Sequence, residues 1–243
     1  MAQVIIITAL LVASLLLSTA IYVFETEKEV PTASTGQENV FPAYEQSIRN
    51  TLISALANVT NGGYRGVLSG DLNELTVAIT NDSYQTIFQM IYTPLNVAPY
   101  QNGVWVSWGT EGHGVSSAYA SFVFGSSAPS ASSNSEFAVN VTSEVDLNGY
   151  LQLYTNYTQV NLTVNVLNEG KPALAQNFTF YFENATGSRV KADSPSLTDF
   201  GNGTYSAAFT ETNQLNSPIP VSVLCQDQRG ILVEANATCT NLG

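Results

Sequence analysis

The sequence predicts a mainly β protein with an α+β part, preceded by an apolar helix long enough to cross a membrane. Three observations carry this expectation. Residues 2–24 contain no charged side chain, and apolar residues between Ala43 and Val59 recur every three or four positions. From Phe137 onward, short runs alternate apolar with polar residues between Gly, Pro and Asn turns. These are the patterns of a bilayer-spanning helix, of a surface helix with one buried stripe and of half-buried strands.

The leading run, AQVIIITALLVASLLLSTAIYVF, would form a helix about 34 Å long, against a hydrocarbon core of about 30 Å. Thirteen of its residues are Val, Ile, Leu or Phe, together worth about −4 to −8 kcal/mol on an insertion scale. A cleaved signal peptide has a basic start and a shorter apolar run. Here the start is Met1-Ala2-Gln3, and Ile21, Tyr22, Val23 and Phe24 carry the run past the small residues Ser18, Thr19 and Ala20. The expectation is a retained single-pass anchor over 2–24 that contacts membrane lipid, with the C-terminal domains extracellular.

Residues 25–42 are polar, contain Pro31, Gly36 and Pro42, and read as a tether. Residues 43–157 read as an α+β extracellular domain lying nearest the membrane. Its first helix should bury Ile48, Leu52, Ala55, Leu56 and Val59 and end at Asn61-Gly62-Gly63. A second helix should begin near Asp71, capped by that carboxylate with Glu74 reaching back, and bury Leu72, Leu75, Ala78 and Ile79. Strands are expected over 84–93, 104–108 and 116–124, with GTEGHG at 109–114 as a turn and GSSAPSASSNS at 125–135 as a flexible loop. Phe137, Val139, Val141 and Val145 share one strand face, and Asn140, Thr142, Glu144 and Asp146 the other. Asp146-Leu147-Asn148-Gly149 carries the Asn-Gly pair that favours a tight hairpin, with Tyr150–Tyr154 returning.

Residues 158–243 repeat the strand grammar. Val160, Leu162, Val164 and Val166 alternate with polar residues before the turn Asn168-Glu169-Gly170-Lys171-Pro172. Phe178, Phe180 and Phe182 alternate in the next strand, and TYSAAF, PVSVLC and ILVEANATC follow between Gly-rich turns. Short strands at a spacing of about ten residues suit a β-sandwich.

Two stretches, LTVNVLNEGKPALAQNFTFYF and DFGNGTYSAAF with PIPVSVLCQDQRG, resemble the immunoglobulin-like domains of prokaryotic surface proteins. The resemblance covers roughly 158–240. It implies an immunoglobulin-like β-sandwich in a spacer or adhesive role, with no shared catalytic residues. The apolar N-terminal run followed by a β-rich head is similar to archaeal type IV pilins, which implies the alternative of a filament subunit. The chain departs from that pattern in lacking a basic, small-residue processing site ahead of the run.

Nine Asn-x-Ser/Thr sequons occur, at Asn58, Asn81, Asn140, Asn156, Asn161, Asn177, Asn184, Asn202 and Asn236. Asn140, Asn161, Asn177 and Asn236 fall on the polar parity of their strands, where a glycan would project into solvent. These nine are the glycosylation candidates. Cys225 and Cys239 share the apolar parity of their strands, and an oxidising exterior favours a bridge between them over two buried thiols. A simple hairpin at Asp227–Gly230 would set Cys225 opposite Ile231, so the bridge requires the terminal residues to bend back.

Nineteen acidic against seven basic residues give a net charge of −12, which argues against nucleic acid as a partner. Nucleophile elbow, zincin helix, phosphate loop and dinucleotide fingerprint are absent from the sequence. The single His113 stands near Glu111 on a Gly-flanked turn, a pair that reads as loop rather than metal site. No catalytic, cofactor-binding or metal residue is expected, although a glycosidase carboxylate pair has no local signature, so a secreted enzyme is a second alternative. Trp105, Trp108, Tyr100 and Tyr119 could form a sugar-stacking surface, with core packing the plainer reading. The partners implied are membrane lipid, a cell-envelope protein or glycan, and further copies of the chain.

Overall fold

Helix α1 (Phe41–Thr60) buries Ile48, Leu52, Ala55, Leu56 and Val59, the five residues picked out by their three-and-four spacing. It is seen in a computed structural model that describes residues 41–81, 87–109, 111–128, 131–212, 215 and 217–241. The stripe ends where Gly62 turns the chain with φ 98° and Asn61 Nδ2 donates to Ala57 O at 2.7 Å, a left-handed helix stop. The expected tether therefore ends earlier than Pro42, because Phe41 and Pro42 already belong to α1.

Helix α2 (Val67–Asn81) begins four residues before Asp71. Leu68 and Leu72 are buried with Ile79, whereas Leu75 is half-buried and Ala78 exposed. The early start has a tertiary cause: Tyr92 donates its hydroxyl to Ser69 O at 2.9 Å, which ties the first turn to the sheet. Asp71 thus lies inside the helix, where burial and then the neighbouring Glu74 raise its pKa.

Twelve strands follow among the described residues. β1 (Ile87–Pro94) and β2 (Val104–Trp108) both pair with β3 (His113–Ala128). β3 pairs with β4 (Ala131–Leu153) along sixteen residues, from His113↔Asp146 to Ala128↔Ala131. Most of the small-residue stretch at 125–135 is therefore paired strand, with Pro129 and Ser130 outside the described residues. Ser and Ala lack strong strand preference, so the pairing there is an extension of the apolar ladder below it.

The expected hairpin at Asp146–Gly149 does not form. β4 runs straight through it and pairs with β5 (Thr158–Asn168) along eleven residues, from Ser143↔Asn168 to Leu153↔Thr158. The reversal comes at Tyr154–Tyr157, where Tyr154 N donates to Tyr157 O and the two rings stack at 4.4 Å. Gly149 serves close approach instead: a Cβ there would lie 2.7 Å from Cys239 Sγ and 2.9 Å from Asn161 O. A glycine inside a strand often marks such a contact.

The remaining strands are β6 (Lys171–Pro172), β7 (Ala175–Glu183), β8 (Arg189–Lys191), β9 (Ser196–Asp199), β10 (Thr204–Glu211), β11 (Ile219–Asp227) and β12 (Leu232–Asn241). Glu169 and Gly170, with φ 48° and 71°, make the tight β5–β6 turn that right-twisting strands prefer. The order is β8-β7-β11-β12-β4-β5-β10-β9, with β12 joining β4 by a short parallel pairing at Thr240↔Tyr150 and Asn241↔Leu151. The sheet folds back so that β7 lies over β10, with Phe178 4.5 Å from Tyr205 and Phe182 5.5 Å from Phe209 between ring centroids. Val160, Leu162, Val164, Val166, Val221, Val223, Val233 and Ala235 fill the space between.

A boundary was expected between 157 and 158, but β4 and β5 pair across it and Tyr44–Gly243 forms one compact unit. β12 also reaches back, since Ser116 Oγ donates to Leu232 O at 2.8 Å and Asn236 N to Gly109 O at 3.1 Å. Among the described residues no helix is long and apolar enough to cross a membrane. The anchor expected over residues 2–24 lies outside the described residues.

Candidate functional site

Alternation along β3 places Ser116, Ala118, Ala120 and Phe122 in the core and Ser117 and Tyr119 on the opposite face. The register continues that second face across three strands. Trp105 on β2 stands opposite Ser117, and on β4 Asn140 stands opposite Tyr119 while Thr142 stands opposite Ser117. Tyr100, just ahead of β2, closes the group with its ring 5.8 Å from Trp105 and 6.1 Å from Tyr119, both edge-on at 61°.

Beneath the rings runs a chain of hydroxyls. Tyr100 OH lies 2.8 Å from Ser117 Oγ, and Ser117 Oγ lies 2.8 Å from Thr142 Oγ1. Both hydroxyls lie beside one acceptor, Asn140 Oδ1, at 3.1 and 3.2 Å; each has a single proton, so one donates to the other and the second donates to Asn140. Ser117 is fully buried under the rings and Thr142 is 7% exposed, so their hydroxyls need these partners. Asn140 itself is exposed, and Tyr100, Trp105 and Tyr119 are half-buried. The result is an aromatic, hydroxyl-backed and uncharged patch, the chemistry that suits the apolar faces and hydroxyl edges of a sugar. Trp108 does not join it, because its parity puts it on the other face, where Nε1 donates to Ser116 Oγ at 3.5 Å.

The nine sequon asparagines divide by setting. Asn58, Asn81, Asn140, Asn156, Asn177 and Asn202 are exposed, while Asn161, Asn184 and Asn236 are half-buried. Several amides are already engaged. Asn236 Nδ2 donates to Trp108 O at 2.9 Å and Asn177 Nδ2 to Gln226 Oε1 at 2.9 Å. Asn161 Nδ2 is buried without a partner among the described residues. Asn184 Oδ1 accepts from Thr186 N and Ser188 N, each at 3.0 Å, and so organises its turn.

Cys225 and Cys239 are both free and buried. The expected bridge is not formed, and the register gives the reason. Cys225 pairs with Val233 and Cys239 with Ile219, so the two thiols lie six rungs apart along one hairpin, about 20 Å at 3.3 Å per residue. A disulfide requires Cα atoms within about 7 Å. Burial pushes each thiol up to about 12.

His113 Nδ1 lies 2.7 Å from Asp146 Oδ1, its cross-strand neighbour. No group of three or more His, Cys, Asp and Glu side chains is placed to hold a metal among the described residues. The densest charge cluster is structural. Arg229 donates Nε to Asp227 Oδ2 at 2.8 Å, one terminal nitrogen to Glu169 Oε1 at 2.7 Å and the other to Thr142 O at 2.9 Å. Arg49 of α1 adds a 3.1 Å contact to Glu169 Oε2. This knot joins α1, β4, the β5–β6 turn and the β11–β12 turn. Sequence reading missed it and the hydroxyl chain alike, because the partners, such as Arg49 and Glu169 or Thr142 and Arg229, stand far apart in the chain and leave no local spacing to find. The parity of Ser117, read beside that of Tyr119, was an available signal for the hydroxyl chain.

No family model, curated protein or solved structure matches the chain.

Proposed function

We propose that the chain is a single-pass, membrane-anchored extracellular glycoprotein with a structural or adhesive role at the cell envelope. The observation that carries the reading is the uncharged apolar run of residues 2–24 placed ahead of a β-rich body, in a chain only 11% charged overall. Such a run inserts with nothing charged to oppose it. The facing sheets built from β5 and β10 on one side and β7, β11 and β12 on the other support an immunoglobulin-like sandwich as the C-terminal half of that body. Exposed sequon asparagines on helices, strands and turns alike support life outside the cell, where oligosaccharide can be attached.

Fractionation of cells making the full chain tests this. The expected result is recovery in the membrane pellet after alkaline carbonate washing, release only by detergent, and digestion of the body by protease added to intact cells. Deleting residues 2–24 should move the body to the soluble fraction. Full-length protein in the cytosol without detergent would overturn the reading, and a long polymer persisting in detergent would move it to a filament subunit.

A further inference from the structure

We infer that Asn140 carries an N-linked glycan whose first sugar lies on the ring of Tyr119, with Tyr100 and Trp105 completing the platform. The inference rests on the extracellular placement proposed above and deepens it, since it assigns one sequon and says what the aromatic patch is for. Asn140 is exposed, and its contacts with the Ser117 and Thr142 hydroxyls both fall on Oδ1. Its Nδ2, the atom a sugar is joined to, has no hydrogen bond among the described residues. Asn177 and Asn236 commit that same nitrogen to Gln226 and Trp108.

Position supplies the rest. Asn140 and Tyr119 are direct cross-strand partners, whose Cβ atoms lie about 5 Å apart, so a sugar ring fixed to Nδ2 reaches over the tyrosine face. The C–H face of a pyranose is apolar and stacks on such a ring, while its hydroxyl edge meets water. The hydroxyl chain from Tyr100 through Ser117 and Thr142 holds the Asn140 side chain in one orientation, which lowers the entropy lost when the glycan docks.

The donor is an oligosaccharide linked to a lipid phosphate, and a membrane glycosyltransferase catalyses the step. The bond between sugar C1 and the phosphate oxygen breaks, C1 bonds to Asn140 Nδ2, the amide loses one proton and the lipid phosphate leaves. Thr142, the hydroxyl residue of this sequon, is 7% exposed in the folded sheet. Transfer therefore precedes the closing of β3 on β4.

The test is peptide-level mass spectrometry of full-length protein from a host that glycosylates exported chains. Glycan at Asn140 is the expected result. An unmodified Asn140 beside modified Asn156 or Asn202 overturns this inference and leaves the extracellular reading standing. Protein with no glycan at any sequon overturns both the inference and the glycoprotein part of that reading, while its membrane recovery is judged separately. Stacking has its own readout, because sugar protons over a ring shift upfield in NMR spectra of the intact glycoprotein. The glycan should lower the unfolding equilibrium constant, favouring the folded state, by about 2- to 10-fold, the range of a ring contact, and Tyr119→Leu should remove that gain. A gain unchanged in Tyr119→Leu, together with unshifted sugar protons, would leave a glycan in solvent and sink the proposed seat.

Discussion

Raising the pH from 8 to 10 is expected to weaken the fold through two thiols that never meet. Cys225 and Cys239 are 1% and 0% exposed, and burial lifts each from the ordinary 9.0 to about 12, with Asp227 adding to the rise at Cys225. A group whose pKa is raised by folding contributes its full stability below the unfolded value. That contribution is lost as pH climbs from 9 towards 12. At pH 10 an unfolded thiol is about ten parts ionised to one protonated while the folded one keeps its proton, so unfolding gains about 1.4 kcal/mol per thiol and about 2.7 for both. With a urea slope of about 2 kcal/mol per M, the midpoint should fall by about 1.3 M. Urea titrations followed by tryptophan fluorescence, in a phosphine reductant at pH 8 and pH 10, measure this. The variant carrying Cys225→Ala and Cys239→Ala should lose far less between the two pH values, even though it starts from a lower midpoint. Burial also raises the Tyr205 hydroxyl, but both proteins share it. Equal losses in wild type and double variant would show that the hairpin core does not hold these thiols protonated.

Gly149→Ala should destabilise by about 1–3 kcal/mol through overpacking, since the new methyl would press on Cys239 Sγ, Asn161 O and Leu162 Cδ2; an unchanged melting temperature would mean that β4 and β12 do not approach there. Tyr205→Phe removes a hydroxyl that accepts from Ala175 N at 2.7 Å and donates to Ala175 O at 3.3 Å. Its expected cost is about 1 kcal/mol by chemical denaturation, the loss of two hydrogen bonds to half-buried backbone groups. Asp227→Ala should cost about 1–3 kcal/mol because it leaves Arg229 Nε and two backbone N–H groups, from Arg229 and Ile231, without their acceptor, while Arg229 keeps Glu169. Adding Arg229→Met should recover part of that loss, and a double-mutant cycle that proves additive would remove the knot as a unit.

Much of the fold was legible where one residue spacing decided burial. The α1 stripe and the alternation of β5 and β10 are of this kind, because a single face meets a single neighbour and periodicity reports it directly. Legibility failed where a residue type had two physical uses. Asn148-Gly149 fits a tight turn, yet the glycine is there so that a thiol from β12 can pass close by, and nothing within ten residues announces Cys239. The run at 125–135 has turn-like composition, yet sixteen-residue pairing carries the strands through it. Asp71 has the identity of a helix cap, yet Tyr92 and buried Leu68 pull the helix start forward. The candidate patch was half-legible: Tyr100, Trp105 and Tyr119 belong together, though core packing was the plainer reading, while Trp108 fell on the other face because two tryptophans three residues apart in a strand point opposite ways. Asn140 could be found by its motif, but Ser117, which helps orient it, lies on a strand more than twenty residues away.

β4 is held by sixteen rungs to β3 and eleven to β5, and this long central strand has a mechanical consequence. A pull along its axis loads those hydrogen bonds in shear, so they resist together and not one after another as in unzipping. Tension applied to the body would meet its stiffest direction there. Extension under load would begin in the short outer strands β8 and β9, of three and four residues, leaving the spine and the asparagine it presents in place until last.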